Sequence, residues 1–540
     1  MAGSEAQTYA GLRRNFRWNL PARYNIGTAV CDVWARRQPD RLAILRRLPG
    51  GATERVTYGA LREASDRFAL ALRRLGVGKG DRVAILLPQS PAVVIAHIAV
   101  TKLGALSLPL AVLFGPDALA FRLRDSGAKL VVLDAGGLAK LSQIEGKLPD
   151  LETVISVDGP GGGALGFDRL LSRAQGELAP ADTGPDDPAM MIYTSGTTGQ
   201  PKGALHGHRV VPGHIPGLRF AHPGLGETAG DLMWTPADWA WAGGLLNVLL
   251  PSLALGVPVV SGLNAKFSAD EAWALILDLG VRNAFLPPTA LRMLQAAHSP
   301  GETHTNRLRS IMSAGETLGP GTYEWAKQAF GFPANELYGQ TECNLVLGSS
   351  FQVGVSRPGA IGKAVPGHNV KVLDGEGREC ADDEIGEIAV EAPDPVMFLG
   401  YWNNRQATAA KVREGWLLTG DEARRDGEGY IHFIGRGDDI ITSAGYRIGP
   451  GEIEDCLMRH PAVAMAAVVG APDSLRTEIV KAFMVLKPGF APSEELTADI
   501  QLFVRERLSA HEYPRTVAYV DALPLTTSGK IIRRVLREAD

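Results

Sequence analysis

Short β-branched runs alternate along this chain with longer segments of helical periodicity, and that alternation most restricts what it can fold into. Arg82-Val-Ala-Ile-Leu-Leu87 reads as a strand, Pro91 to Gly104 as a helix, and Lys129-Leu-Val-Val-Leu133 as a strand again. Val257–Val260, Asn283–Leu286 and Arg309–Ser313 repeat the theme. Strands interleaved with helices imply an α/β class of layered, largely parallel sheets. A chain of 540 residues exceeds what one core usually serves, so at least two domains are expected. The texture changes past about Gly386. Glu387–Val390 and Tyr430–Ile434 alternate like antiparallel strands, a small β-barrel-like part added to the large N-terminal domain. The last hundred or so residues read as a compact α+β unit: a helix at Gly451–Arg459, strands at Val463–Val469 and Val480–Leu486, and a helix at Leu496–Leu508. The boundary falls at Arg436-Gly437-Asp438, giving domains 1–436 and 437–540. Asp158–Gly163 is a Gly/Pro-rich surface loop.

Charge and composition narrow the function. A net charge of −4, with no basic face, argues against a nucleic-acid partner. Cys31, Cys343, Cys380 and Cys456 form no CxxC pair and read as reduced thiols. Met1 to Gly27 lacks the apolar core of a secretory signal. Gly243 to Val260 is the most membrane-like stretch, but it holds Asn247, Pro251 and Pro258. It reads as a buried helix followed by a buried strand, so no membrane span and a cytoplasmic enzyme are expected. His206, His208 and His214 cluster without a zinc spacing.

The most informative segment is Tyr193-Thr194-Ser195-Gly196-Thr197-Thr198-Gly199-Gln200-Pro201-Lys202-Gly203, delivered by the strand-like Ala189–Tyr193. Glycines let backbone approach a phosphate chain closely. Successive N–H groups and hydroxyls then donate to its oxygens, and Lys202 adds a point charge. The spacing is not that of Walker A. With the motifs described next, this segment resembles the adenylate-forming superfamily of acyl- and aryl-CoA synthetases, peptide-synthetase adenylation domains and luciferase. The likeness runs over nearly the whole chain, and it is greatest to the acetyl- and medium-chain acyl-CoA synthetase branch.

The resemblance implies ATP-dependent formation of an acyl-adenylate and transfer of the acyl group to coenzyme A, with Mg²⁺. Tyr338-Gly339-Gln340-Thr341-Glu342 matches the second family signature. By resemblance Tyr338 stacks on adenine, Thr341 contacts the α-phosphate and Glu342 holds Mg²⁺. Glu336 and Leu337, just before it, join the ATP/AMP-binding set, as do Gly315 and Glu316 of Ser313-Ala-Gly-Glu316. Asp421, closing Trp416-Leu-Leu-Thr-Gly-Asp421, would grip the ribose hydroxyls. Ile434 and Arg436 would also contact the nucleotide, and Asp438 would be the hinge. Ala444, Gly445, Tyr446 and Arg447 would form the CoA side, with Glu452 and Glu454 serving the next helix. Lys530, in Pro524-Leu-Thr-Thr-Ser-Gly-Lys530, would be the catalytic lysine of adenylation, acting with Thr194, Lys202 and Glu342. The family's small C-terminal domain is mobile and rotates between half-reactions. A homodimer and a lysine acetyltransferase acting on Lys530 complete the partners under consideration.

Trp241, Ala242 and Gly243 correspond to the substrate loop, and Ala314 and Gly339 to the rest of the acyl pocket. Acetate-specific relatives carry bulkier residues at these places, Trp at the Gly339 position among them. The smaller set here predicts a medium-chain, branched or aromatic acid. Leu245 departs from the His that many relatives carry. The alternative is a stand-alone adenylation enzyme that loads a carrier protein, with Asp238 as a faint candidate for holding a substrate ammonium.

Overall fold

A computed structural model of the chain describes residues 8–144, 146–194, 201–262, 267–297, 307–443, 446–473, 477–508, 513–526 and 529–539. Among these residues the α/β expectation holds. One eight-stranded sheet has a parallel centre built from Arg82–Leu86, Leu106–Pro109, Leu130–Leu133 and Pro188–Tyr193. A nine-stranded sheet runs parallel through Val259–Ser261, Met233–Trp234, Asn283–Phe285, Ser310–Ala314 and Asn335–Tyr338. The largest core cluster joins Val83 and Ile85 of the first sheet to Met233, Val259, Phe285 and Met312 of the second. Helices Tyr58–Arg74, Pro91–Lys102 and Val210–Ala221 contribute to the same cluster, so they are packed between the sheets.

Pro91–Lys102 shows why. Proline occupies its first turn, where a missing N–H costs nothing, and almost every side chain after it is buried. A helix apolar on every face belongs in the middle of a layer, not on its surface. Its one charge, Lys102, is fully buried and answered by Asp32 at 2.7 Å and Asp66 at 2.6 Å. The Gly243–Val260 stretch resolves as expected into helical turns through Ala254 and the buried strand Val259–Ser261. No helix among the described residues is long and apolar enough to cross a membrane.

Val370–Leu373, Ile385–Glu391, Trp416–Arg425 and Ile431–Arg436 belong to an antiparallel sheet. The α+β unit follows. The long hairpin Val463–Asp473 with Thr477–Leu486 takes Thr516–Tyr519 as a parallel partner and carries helices Pro450–Met458 and Glu494–Arg507. All four cysteines are buried and free.

Candidate active site

One cleft of about 1180 Å³ opens over the carboxyl ends of the nine-stranded sheet. Parallel strands place ligand sites there, because the chain leaves each strand on that side and the loops are free to vary. Leaving Ser310–Ala314, the chain supplies Gly315 and Glu316; leaving Asn335–Tyr338, it supplies Gly339 through Glu342. Gly315 has φ +103°, a conformation open to glycine and strained for any other residue. Thr194 and Lys202 reach the cleft from the two flanks of the phosphate loop. They are pinned together: Thr194 N–H donates to the Lys202 carbonyl at 2.9 Å, and Lys202 N–H donates to Thr194 Oγ1 at 3.3 Å. Ser195, Gly196, Thr197, Thr198 and Gly199 lie outside the described residues.

Asp421 and Arg436 meet because they are direct partners on adjacent antiparallel strands. Asp421 is nearly buried, and its Oδ2 accepts the Tyr338 O–H at 2.6 Å and Gln340 Nε2 at 2.6 Å. Gln340 Nε2 also donates to the Thr419 carbonyl at 2.8 Å. Lys411, absent from every motif, lines the same cleft and donates to Gln340 Oε1 at 3.0 Å and to the Thr419 carbonyl at 2.9 Å. Burial holds the Lys411 ammonium below the usual lysine pKa, against the pull of Glu342 and Asp421.

Glu342 is also nearly buried, and Tyr401 donates a short hydrogen bond to its Oε1. The Tyr401 ring has the Lys202 ammonium 5.2 Å from its centroid. This contact follows from pairing, since Gly400–Tyr401 runs antiparallel to the strand Gly203–Gly207 that leaves the phosphate loop. Glu316 is held by Arg292 at 2.5 Å and by Thr289 Oγ1 at 3.1 Å. Lys530 lines the same cleft, within electrostatic reach of Glu316, Asp421, Arg436 and Glu342. Its side chain still meets the water of the cleft, yet crowding by protein is the main cause lowering its pKa. Glu316 and Asp421 act in the opposite direction. Glu336, deep in the lining, is pushed up to about 8 by burial. Tyr401, Lys411, Arg292 and Thr289 carry no sequence signal that would have singled them out.

Several expectations change. Ile434 does not line the cleft, whereas Phe433 and Gly435 do. Ala423 pairs with Phe433 and Glu422 with Gly435, so Ile434 is the extra residue of a bulge that turns both neighbours toward the site. Trp241, Ala242, Gly243 and Ala314 are not among the residues lining this cleft. The volume removed at two pocket positions is also refilled. A Cβ on Gly339 would sit 2.5 Å from Asn344 Cα and 2.6 Å from Leu345 N, and one on Gly243 would sit 3.0 Å from the Phe285 ring. Glycine at 339 therefore makes room for backbone. Asp238 caps its own loop, accepting Ala240 N–H at 2.9 Å, and burial raises it to about 6. Glu454 holds Arg533 at 2.6 Å rather than serving only its own helix. His206, His208 and His214 are buried, with pKa values lowered by burial to about 3, 4 and 4.

Asp438 accepts Arg436 Nε at 3.1 Å. Ala444 and Gly445 lie outside the described residues. Tyr446 and Arg447 belong to the strand Tyr446–Ile448, paired with Ile441–Ser443.

A profile of the AMP-binding enzyme family matches residues 31–402, and one of the AMP-binding enzyme C-terminal domain matches residues 452–530. Acetyl-coenzyme A synthetase of Bacillus subtilis is 35% identical over 90% of this chain and 85% of its own length. 4-Hydroxybutyrate–CoA ligase 1 of Metallosphaera sedula is 34% identical over 94% of this chain and 89% of its own. Among solved structures, the anthranilate CoA ligase AuaEII in complex with anthranoyl-AMP superimposes with a TM-score of 0.87 at 29% identity, covering 96% of this chain and 98% of that one.

Proposed function

From the premise that this chain belongs to the AMP-binding enzyme family and is an acyl-CoA synthetase, we propose that it activates a medium-chain, branched or aromatic acid as its acyl-adenylate. The observation that carries the reading is the convergence of Lys202, Glu342, Asp421, Arg436 and Lys530 on one cleft. A carboxylate oxygen attacks the α-phosphorus of ATP, forming the mixed anhydride and releasing pyrophosphate. The CoA thiolate then attacks the acyl carbon, forming the thioester and releasing AMP. The first step brings two anions together, so positive charge and exact positioning are what the protein must supply.

Lys530 serves both the carboxylate and the α-phosphate, and Lys202 serves the distal phosphates. Asp421 accepts a ribose hydroxyl, Tyr338 packs on adenine and Arg436 stands beside the α-phosphate. Glu342 is the residue for Mg²⁺. Among the described residues no group of three or more His, Cys, Asp or Glu converges as a metal site. A single carboxylate fits an ion held mainly by the phosphates it arrives with. When bound, Mg²⁺ supplies neutralisation of the pyrophosphate charge. In this reading 437–540 turns about Asp438 between the steps, withdrawing Lys530 and presenting the Ala444–Arg447 side to CoA.

The small side chains of Ala242 and Ala314 favour an acid larger than acetate by their correspondence to the family's pocket positions, although neither lines the cleft, and the anthranilate ligase supports an aromatic acid. The test is AMP release with MgATP across acetate, butyrate, isobutyrate, hexanoate, octanoate, benzoate and cyclohexanecarboxylate, with and without CoA. A larger acid should exceed acetate by at least about tenfold in kcat/KM, since each buried methylene is worth about 0.8 kcal/mol. Acetate outperforming every longer acid would overturn the pocket reading. AMP release indifferent to CoA would overturn the ligase mechanism.

A further inference from the structure

Lys411 ends the helix Arg405–Lys411, where a cation usually does no more than meet the helix dipole. Here its ammonium turns away to Gln340 Oε1 and the Thr419 carbonyl. That choice decides how the Gln340 amide lies. Both Nε2 hydrogens are used, one on the Thr419 carbonyl and one on Asp421 Oδ2, and Oε1 accepts from Lys411. A flipped amide would set Oε1 against two acceptors and its NH₂ against an ammonium, so only one orientation is satisfied. Asp421 Oδ2 is thereby occupied by Gln340 and Tyr338. Nothing among the described residues donates to Oδ1, and Asp421 lines the cleft.

We propose that Lys411 is a positioning residue that fixes the Gln340 amide and through it presents Asp421 Oδ1 to the nucleotide ribose. The inference rests on the reading of Asp421 as the ribose ligand. Lys411→Met removes the donor to Oε1 and frees the amide to turn. Losing a charged hydrogen bond that acts on binding raises KM for ATP about tenfold. The kcat at saturating ATP stays within about threefold, because the Lys411 hydrogen bonds go to Gln340 and the Thr419 carbonyl, neither of which is assigned to the reacting groups.

The experiment measures KM and kcat for ATP and for 2′,3′-dideoxy-ATP in the wild type, Lys411→Met, Gln340→Met and the double variant. The expected result is a KM penalty for Lys411→Met with ATP that disappears with the dideoxy nucleotide, and a double variant no worse than Gln340→Met alone. An equal penalty on both nucleotides, or losses that add in the double variant, overturns the relay. A wild type indifferent to the ribose hydroxyls overturns the assignment of Asp421 itself, and the wild-type measurements alone reveal it. Should Lys411→Met fail to fold, Lys411→Leu, which also lacks a donor, carries the same comparison.

Discussion

Alanine at Gly339 separates two accounts of the acid pocket with one methyl group. If that glycine only leaves space for substrate, Gly339→Ala shortens the largest acid accepted and leaves stability alone. The structure predicts otherwise. The new Cβ would lie 2.5 Å from Asn344 Cα and 2.6 Å from Leu345 N, roughly 1 Å inside normal contact. The backbone has little room to retreat. Leu345 is fully buried at φ +60°, and a Cβ on Gly217 of the helix Val210–Ala221 would already stand 2.8 Å from its Cβ. Overpacking of this kind costs about 1–3 kcal/mol. In a unit of this size that lowers Tm by a few degrees. Because Gln340 follows directly and holds Asp421, kcat/KM for ATP should fall as well. Of the three close contacts, Asn344→Gly relieves only the one to the side-chain oxygen at 2.8 Å and leaves Cα and Leu345 N in place, so it should not rescue the alanine variant. Thermal melting together with kcat/KM for hexanoate and benzoate decides the matter. A Gly339→Ala enzyme with wild-type Tm and a narrowed acid range would refute the backbone argument.

Lys530→Ala should cut acyl-adenylate formation by at least about a hundredfold while leaving thioester formation from supplied acyl-adenylate within about threefold; equal loss of both half-reactions would contradict its role. Glu336→Gln should flatten the pH dependence of stability. With its pKa raised to about 8 in the fold from 4.5, Glu336 keeps a proton that the unfolded chain has released. Its stabilising contribution is therefore complete below pH 4.5, lost as pH rises through about 8, and reduced by about 3 kcal/mol at pH 7. A Tm gap between wild type and Glu336→Gln that stays constant from pH 5 to 9 would sink this. Tyr401→Phe removes the hydrogen bond on Glu342 and should raise the Mg²⁺ concentration for half-maximal rate about three- to tenfold; an unchanged Mg²⁺ titration at fixed ATP would exclude Tyr401 as its aligner.

The layered sheets were legible because a strand buried on both faces has to be a continuous apolar run, as in Leu130–Leu133. Boundaries moved by a residue or two, as when the helix expected from Pro91 ended at Lys102. Three motifs, those of Tyr193–Gly203, Ser313–Glu316 and Tyr338–Glu342, were legible because they are contiguous and leave the end of a strand, so neighbours in sequence remain neighbours at the cleft. Ile434 failed on this count, since a bulge shifts the alternation by one residue and no periodicity announces it. Lys411 and Tyr401 were hidden for another reason. They reach Gln340 and Glu342 across 71 and 59 residues of chain, and a lysine at a helix end or a tyrosine in a short strand is ordinary by itself. Gly339 was misread in meaning rather than position. A small residue signals that something comes close, and sequence does not say whether that something is a ligand or the chain itself.

The partition of the site follows from the same connectivity. Asp421, Tyr338 and Gln340 all lie before the proposed hinge, and Arg436 is the last residue of the strand that pairs with Asp421. Lys530 lies beyond it, on a tail whose Arg533 reaches Glu454 at 2.6 Å and Asp439 at 3.4 Å and whose Arg537 reaches Asp439 at 2.5 Å. Those ion pairs are between residues that all follow Asp438, so a rotation there keeps them intact and carries the Lys530 turn as part of one body. On the proposed roles of Asp421 and Tyr338, the grip on the nucleotide would stay behind with residues that precede Asp438. On the proposed mechanism, a lysine that departs while the ribose and adenine contacts remain would let the acyl-adenylate stay bound as the site is rebuilt for the thiol, so the first step should depend on domain closure and the second should not depend on Lys530.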